Sequence, residues 1–450
     1  MVLFTRDLRV RDNDALATAV REHDRVVPLF VLDDALLRRN CGAPNRLAFL
    51  HDCLADLHDA LARRGARLLV RRGEVVRETL ALARECGVRA IHISADATPY
   101  ASAREQRLRE ACKQERIALR VHDGVTAVAP GALTPSTGDH YRVFTPYWRA
   151  WRVAAMDAAH AAPAPRRVQL PRGTPDARLP PLRELVRGTP SPDLPRGGES
   201  EGRRALDAFI RRGGLASYED LHDDLAAART SRLGAHLHFG CLSPATAIAR
   251  VADRPGAEAF VRQLCWRDFH HQVLAARPDL PRADYRPRGD RWRRDARAAA
   301  AWRDGRTGYP IVDAGMRQLQ REGFMHNRAR MIVASFLVKT LYLYWRLGAA
   351  HFSELLCDAD VANNVGNWQW VAGTGNDTRP NRVLNPLRQA ARFDRDGEYV
   401  RRYVPELAGV DGRAVHEPWL LPRARRRALA NPAPINDHER AARELRARRS

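Results

Sequence analysis

The sequence predicts an α/β domain built on a Rossmann-like parallel sheet, followed by an all-α domain. Three observations carry this prediction. Short apolar runs alternate with helical patterns up to about residue 130, a proline-rich stretch comes next, and helical periodicity dominates after about residue 200. We therefore divide the chain into an α/β domain over 1–130, an inter-domain connection over 131–200 and a helical domain over 201–450.

The α/β domain is predicted from short apolar runs that are separated by amphipathic segments. Leu47–Leu61 and Glu74–Cys86 have helical spacing of apolar residues, which is typical of the crossover helices between parallel strands. No G-x-G-x-x-G motif follows the first run, so an ordinary dinucleotide-binding fingerprint is absent. The predicted strands are Val2–Thr5, Val26–Leu32, Leu68–Val70, Ala90–Ser94 and Ala118–Val121.

The connection and the helical domain differ sharply in composition. Residues 160–199 contain nine prolines and four glycines, which cannot sustain a long helix. Beyond residue 200 the apolar spacing is helical almost throughout. The predicted helices there are Arg203–Arg212, Ser243–Val251, Ala257–Ala276, Ala314–Arg321, His326–Trp345 and Phe352–Cys357.

The charge of the chain favours a polyanionic partner. The 450 residues include 75 basic and 53 acidic side chains, for a net charge of +22. Nucleic acid is the first candidate and an acidic membrane surface the second. Lys113 and Lys339 are the only lysines, so the charge is almost entirely arginine, a skew that a genomic codon bias also explains.

Cysteines and hydropathy indicate a cytosolic protein. Seven cysteines occur with no C-x-x-C pair, which favours reduced thiols over a zinc site or a disulfide framework. The first residues lack the apolar core of a signal peptide. The apolar stretch Met331–Leu347 contains Lys339 and Arg346 and is better explained as a buried helix than as a membrane span.

Several polar motifs in the helical half can carry chemistry. Trp266 next to Arg267 offers a stacking surface beside a cation, as nucleic-acid binding requires. Hydroxyls in the segment 230–234 suit either simple helix capping or phosphate binding. Arg330 can pair with Asp358, and the histidines are not at ligand spacing to the aspartates, so we predict no metal site.

Taken together, these motifs resemble the photolyase/cryptochrome family over nearly the whole chain. The matching segments follow the family's order and are most similar to class I cyclobutane pyrimidine dimer photolyases of actinobacteria. They are Arg6-Asp7-Leu8-Arg9, Thr230-Ser231-Arg232-Leu233, Trp266-Arg267-Asp268-Phe269, Thr307-Gly308-Tyr309-Pro310, Met325-His326-Asn327-Arg328 and Asn363-Asn364 with Trp368-Gln369-Trp370.

The resemblance implies a light-dependent DNA-repair enzyme that splits cyclobutane pyrimidine dimers by electron transfer from photoexcited, reduced, anionic FAD. The catalytic candidates are Asn364, near flavin N5, and an electron path through Trp292, Trp345 and Trp368. The FAD contacts implied by position are Tyr218, Thr230, Ser231, Arg232, Leu233, Gly234, Asn327, Arg330, Asp358, Ala359, Asp360 and Asn364. The implied DNA or lesion contacts are Gln263, Trp266, Arg267, His270, Asn327, Met331, Trp370 and Gln389.

The chain departs from the family pattern at four positions. Gly234 stands where many members have serine, and Gln263 stands where a glutamate faces the lesion. Phe324 replaces a tryptophan, and His222 replaces an arginine that often contacts DNA. These changes affect individual contacts, and none removes the activity.

The antenna cofactor implied by the resemblance is 8-hydroxy-deazaflavin, with methenyltetrahydrofolate as the alternative. Arg46, Asp96 and Tyr100 match the deazaflavin type, although Asp96 also suits capping of the helix that follows the fourth strand. We expect UV-damaged DNA as the partner, a monomer with no obligate protein partner and no membrane association, and a location in the bacterial cytosol or nucleoid.

Three rival functions remain open at this point. A cryptochrome has the same fold and flavin, but we expect no long extension here, and Asn364 replaces the acid of plant cryptochromes. A binding protein that has lost catalysis fits poorly with the complete tryptophan set. Repair of six-four photoproducts would require histidines at 327 and 331, where asparagine and methionine stand.

Overall fold

A computed structural model describes residues 1–38, 43–157, 162–227 and 229–449. Its amino-terminal part is a parallel sheet of five strands in the order β3-β2-β1-β4-β5. The predicted strands are confirmed with shifts of one to three residues at their ends. The strands are β1 (Val2–Phe4), β2 (Pro28–Asp33), β3 (Leu69–Gly73), β4 (Ala90–Ser94) and β5 (Ala118–His122).

Helices cover both faces of this sheet, which is why β1 to β4 are almost entirely buried. Leu16, Phe49 and Leu57 pack on one face, whereas Leu80 and Leu108 pack on the other. The helices of this part are α1 (Asp14–Glu22), α2 (Asp34–Leu37), α3 (Pro44–Ala62), α4 (Val75–Glu85) and α5 (Pro99–Gln114).

The segment predicted as an irregular connection contains one substantial helix. Helix α6 (Phe144–Asp157) buries Phe144, Tyr147, Trp148 and Trp151 in the core of the helical part. The prolines lie after this helix, and within the described residues 162–198 the single turn α7 (Leu182–Leu185) is the only helix. The composition therefore predicted the irregular stretch correctly, but residues 144–157 pack with the helical domain.

The carboxy-terminal part is helical, and its aromatic and aliphatic side chains form one large core. The helices are α8 (Glu199–Arg211), α9 (Tyr218–Leu221), α10 (Gly234–His238), α11 (Pro244–Val251), α12 (Ala257–Ala276), α13 (Ala296–Arg303), α14 (Pro310–Glu322), α15 (Asn327–Ser335), α16 (Trp345–Leu355), α17 (Val361–Ala372), α18 (Pro386–Phe393), α19 (Glu398–Tyr403), α20 (Arg423–Ala428) and α21 (His438–Arg449).

The prediction of one continuous helix over His326–Trp345 is wrong. Helix α15 passes into a π-helical turn over Phe336–Thr340, and Tyr342 then adopts a positive φ of 54°. Lys339 is buried in this turn, and its ammonium donates to the carbonyls of Ala372 and Pro380. Trp345 consequently begins the next helix, which also contains most of the separately predicted segment Phe352–Cys357.

None of the helices in the described residues is long and apolar enough to cross a membrane. Most of the stretch Met331–Leu347 instead belongs to the interior of the helical part, where Val333, Phe336 and Leu337 are fully buried, although Leu347 at its end is exposed.

Candidate functional site

A cavity of about 450 Å³ lies in the helical part, between α10, α12, α15 and α17. Its lining runs from exposed residues, Gln263 and Asn327, to the buried side chains of Leu264, Phe352 and Trp368. The predicted site residues that line it are Tyr218, Ser231, Leu233, Gly234, Gln263, Trp266, Arg267, His270, Asn327, Arg330, Met331, Asp358, Ala359, Asp360, Asn364, Trp368 and Trp370.

Three predicted contact residues lie outside this lining. Thr230 does not reach the cavity, and Arg232 turns away to pair with Glu322 and lie over the Phe324 ring at 4.2 Å. Gln389 is on α18, and its Oε1 is buried without a hydrogen-bond partner among the described residues. The capping explanation for the segment 230–234 is also wrong, because the N-cap of α10 is Leu233 and no side chain caps it.

An ion pair between Arg330 and Asp358 lies in the lining, as the sequence suggested. Two oxygens of Asp358 accept from Nη2 of Arg330 at 3.1 and 2.9 Å, and Nε of Arg330 donates to the carbonyl of Met325. A Cβ at Gly234 would lie only 2.3 Å from Oδ2 of Asp358. Glycine at position 234 therefore leaves the space that the Arg330–Asp358 ion pair occupies. The difference from family members with serine at this position thus affects packing against Asp358 as well as removing a hydroxyl.

Asp360 links the cavity to the α/β domain. Arg6, which follows β1, donates to both Asp360 and Asp96, and His271 lies 3.3 Å from Asp360. Burial raises the pKa of the Asp360 carboxyl, but His271 and Arg6 outweigh it and hold this pKa well below its ordinary value. Sequence motifs included Arg6 but gave no reason to place it against a residue more than 350 positions away.

Asn364 is held in place by two hydrogen bonds from its amide nitrogen. Nδ2 donates to the carbonyl of Ala349 at 2.9 Å and to Oγ of Ser353 at 3.0 Å. Asp360 caps the same helix by accepting from the Asn363 backbone. The carbonyl oxygen Oδ1 of Asn364 accepts no hydrogen bond from the described residues, so it is available to a donor in the cavity.

Arg267, which was predicted to contact DNA, is largely buried in the lining of the cavity. Only 10% of its side chain is exposed, and it pairs with Asp268 at 3.2 Å and donates to the carbonyl of Leu237. Asp268 also accepts from the backbone of Ala127 and Val128 and from the indole of Trp151. Through Asp268, Arg267 thus joins the cavity to α6, and its charge is paired within the protein.

Aromatic stacking surrounds Trp266. Its ring lies flat on Phe144 with centroids 3.6 Å apart, and His270 is at 6.0 Å. The exposed Arg262 lies over Phe144 at 5.4 Å and over Trp148 at 5.8 Å. Phe144 and Arg262 were missed by the sequence analysis, because the first lies in the predicted connection and the second is one of many arginines.

The tryptophans at 368, 345 and 292 do not form one unbroken row of touching rings. Trp368 lines the cavity and contacts Phe352 and Trp302, with centroids at 5.0 and 6.1 Å. Trp345, on the adjacent helix α16, is in ring contact with Tyr344 at 6.0 Å, and Tyr344 contacts Trp292 at 5.9 Å. Tyr344 and Trp302 were not predicted from the sequence.

His326 does not line the cavity, which confirms the expectation from helix geometry. It is the N-cap of α15, and its Nδ1 accepts from the backbone of Arg328. Burial lowers the pKa of His326 to about 4, so the ring stays neutral near neutral pH.

The three predicted antenna residues lie near the carboxyl ends of the strands. Arg46, on α3, donates to the carbonyls of Ser353 and Leu356, and Tyr100 donates to Asp33. Asp96 pairs with Arg6 and accepts from the backbone of Thr98, while Thr98 itself caps α5. Capping of α5 is thus performed by Thr98, and the Asp96 carboxylate is committed to Arg6.

Comparisons with known proteins agree with this arrangement. Residues 1–166 match the family model described as DNA photolyase, and residues 260–450 match that of the FAD binding domain of DNA photolyase. The chain is 56% identical to the deoxyribodipyrimidine photo-lyase of Streptomyces griseus, covering 97% of this chain and 96% of that protein.

Two further relatives are similar to this chain over nearly its whole length, one in sequence and one in structure. The deoxyribodipyrimidine photo-lyase of Halobacterium salinarum is 38% identical, over 96% of this chain and 95% of that protein. The crystal structure of a bacterial class III photolyase from Agrobacterium tumefaciens superimposes with a TM-score of 0.91 at 34% identity. That comparison covers 99% of this chain and 96% of the other.

Proposed function

The chain belongs to the photolyase/cryptochrome family, and on this premise we propose that it is a light-dependent DNA-repair enzyme that splits cyclobutane pyrimidine dimers. The observation that carries the proposal is the cavity of about 450 Å³, which is lined by exposed residues at one end and by the buried Trp368 at the other. The assignment to class I within the family is part of the same proposal.

We place FAD in this cavity because its residues suit that cofactor. Arg330 supplies a cation that Asp358 holds in position, and Gly234 leaves room beside them. Oδ1 of Asn364 can accept from a ring N–H, and Nδ1 of His270 is buried with no partner among the described residues. The chemistry that bound, reduced FAD supplies is light-driven electron donation to the dimer, with return of the electron once the ring has opened.

The residues near the exposed end suit a flipped-out lesion. A dimer inside the duplex must leave the stack to reach a buried cofactor, as photolyases in general require. Trp266, Trp370 and Met331 are each partly exposed in the lining and offer apolar and polarizable surface for the two bases. Gln263 and Asn327 offer amide groups that can donate to and accept from the base edges.

The same residues favour the cyclobutane dimer over the six-four photoproduct. Asn327 and Met331 cannot carry a proton at neutral pH, whereas ring splitting requires an electron and no obligatory proton transfer. His270 does line the cavity, but burial, followed by the charge of His271, lowers its pKa to about 4. A histidine that stays neutral is a poor proton donor to a substrate.

Chromatography of illuminated oligonucleotides that carry a single defined lesion tests this proposal. We expect restoration of the cyclobutane dimer in the light, none in the dark, and no useful restoration of the six-four photoproduct. Efficient six-four repair would overturn the lesion assignment, and the absence of light-dependent repair of either lesion would overturn the enzymatic assignment.

We also propose that 8-hydroxy-deazaflavin is the antenna, with methenyltetrahydrofolate as the alternative. Arg46 and Tyr100 remain the candidates for its contacts, whereas Asp96 would have to share its carboxylate with Arg6. Protein made in a deazaflavin-producing host should release that cofactor on extraction. Recovery of a folate instead would contradict the proposal.

The expected partner is UV-damaged DNA, bound by a monomer in the bacterial cytosol or nucleoid. The net charge of +22 supports attraction to a polyanion. Sedimentation of the protein with and without lesion-containing duplex tests the stoichiometry, and a dimer in the free protein would contradict the monomer.

A further inference from the structure

Four side chains on one face of the sheet, Glu22, His23, His92 and His122, form a cluster well outside the cavity. Glu22 ends α1, His23 follows it, His92 is the central residue of β4 and His122 ends β5. Strand β4 lies next to β1 and β5, and α1 packs across β4. Ile91 and Ile93 belong to the core on the opposite face, so the alternation of the strand directs His92 toward α1.

The arrangement leaves two imidazole nitrogens without partners. Nε2 of His23 and Nε2 of His92 are both buried, and neither has a hydrogen-bond partner within the described parts of the chain. His92 is itself fully buried, with 0% exposure. Buried polar atoms of native proteins are nearly always satisfied, so two unpaired nitrogens on neighbouring rings, whose centroids lie 5.6 Å apart, call for a ligand.

The third group near these two rings is a carboxylate. One oxygen of Glu22 and one ring nitrogen each of His23 and His92 all lie within 4.8 Å of one another. Zinc binds imidazole nitrogen and carboxylate oxygen at about 2.0–2.2 Å, so an ion held by all three side chains would lie between them.

His122 contacts one member of this group, His92. Its Nε2 lies 3.1 Å from Nδ1 of His92, and the two rings are stacked with centroids 5.2 Å apart. When Nδ1 of His92 donates to His122, the lone pair of His92 remains on Nε2, the nitrogen that has no hydrogen-bond partner among the described residues. Metal-ligating histidines characteristically donate their second ring nitrogen in this way.

We propose that Glu22, His23 and His92 form a binding site for a divalent transition-metal ion of the zinc class, with His122 as the positioning residue. Two imidazoles and one carboxylate favour zinc over magnesium or calcium, which prefer oxygen ligands. Three protein ligands leave the fourth position of a tetrahedral ion to water, and the exposure of Glu22 gives that position access to solvent. Charged groups of both signs surround the cluster. The amino terminus of Met1 and Arg120 lie near His92, and Asp14 and Asp123 lie near His122. The proposal therefore rests on the ligand atoms and not on the net charge around them.

The test uses the tag-free, flavin-containing protein, stripped with a chelator and titrated with Zn²⁺ in a calorimeter. We expect one specific site, and we expect His92→Ala and His23→Ala each to weaken it by at least about tenfold. Glu22→Gln changes an exposed side chain and so tests the site without disturbing the core, and we expect weaker binding there as well. His58→Ala, which removes an imidazole from α3, is the matched control and should bind as the parent does.

X-ray absorption at the zinc edge distinguishes this site from a thiol site. Cys53 and Cys241 have Sγ atoms 3.2 Å apart and are the alternative location for a soft metal. The proposal expects only nitrogen and oxygen neighbours at about 2.0–2.1 Å, whereas sulfur at about 2.3 Å would overturn it. Equal affinities of the parent, Glu22→Gln and His23→Ala would overturn it too.

Discussion

The guanidinium of Arg6 donates to the carboxylate of Asp360 at 2.5 Å, joining the first loop of the α/β domain to the lining of the cavity. Their side chains are only 15% and 6% exposed. The same arginine donates to Asp96 at 3.2 Å, so a single cation serves two buried carboxylates from different parts of the chain.

Arg6→Met should destabilise the protein strongly, because it leaves Asp96 and Asp360 buried without their cation. Removal of one partner from a buried ion pair costs about 3–5 kcal/mol. Denaturant unfolding of the flavin-free and flavin-loaded protein measures this loss. Arg109→Met, which breaks the exposed pair with Glu105, is the control and should leave the unfolding midpoint unchanged. An Arg6→Met protein as stable as its parent would show that the two carboxylates find other partners.

The stability of the protein should fall as the pH drops from about 6.5 to about 4, in part because of His326. Burial lowers its folded-state pKa to about 4, so over this range the unfolded chain binds a proton that the folded chain does not. His326 changes the free energy of unfolding by at most about 1.4 kcal/mol per pH unit. His326→Asn retains a capping side chain for α15 and should make the decline less steep, as measured by unfolding at several pH values. The same slope in both proteins would contradict the low pKa.

Trp368→Phe should prevent photoreduction of oxidised flavin but leave repair intact when the flavin is reduced chemically beforehand. The reason is position, since Trp368 is the tryptophan that lies in the cavity lining and is buried. Trp302→Phe is the matched control, because Trp302 also contacts Trp368, and the other aromatic rings that it contacts within the described residues are His351 and Phe352. Transient absorption after a flash follows both variants. A block in Trp302→Phe with normal photoreduction in Trp368→Phe would show a different route.

Arg262 and Arg267 should affect DNA binding in different ways. Arg262 is exposed, so Arg262→Ala should reduce the dependence of log K on log salt by about one unit of slope. Arg267 is buried against Asp268, so Arg267→Ala should leave this slope unchanged and instead weaken retention of the flavin. Binding to undamaged duplex over a range of salt concentrations measures the slopes. A flatter slope in Arg267→Ala alone would restore the phosphate contact expected from the sequence.

Local patterns predicted much of the fold. The five strands, the helix α12 and the proline-rich segment were predictable, because alternation, helical spacing and proline act over a few residues. The interruption after α15 was not, since no glycine or proline marks it. Its turn forms where buried Lys339 reaches the carbonyls of Ala372 and Pro380, contacts that depend on the assembled helices.

The fold class, the family resemblance and most of the residues that line the cavity were predictable from the sequence alone, because ordered motifs of uncommon residues carry this information directly. The way in which those residues are used depends on the folded arrangement. In that arrangement Arg6 pairs with Asp360, and Arg267 pairs with Asp268. Glu22, His23 and His92 come together in a cluster that contains unpaired ring nitrogens. The physical reason is that pairing and burial depend on distances between side chains remote in the chain, and the packing of helices and strands sets those distances.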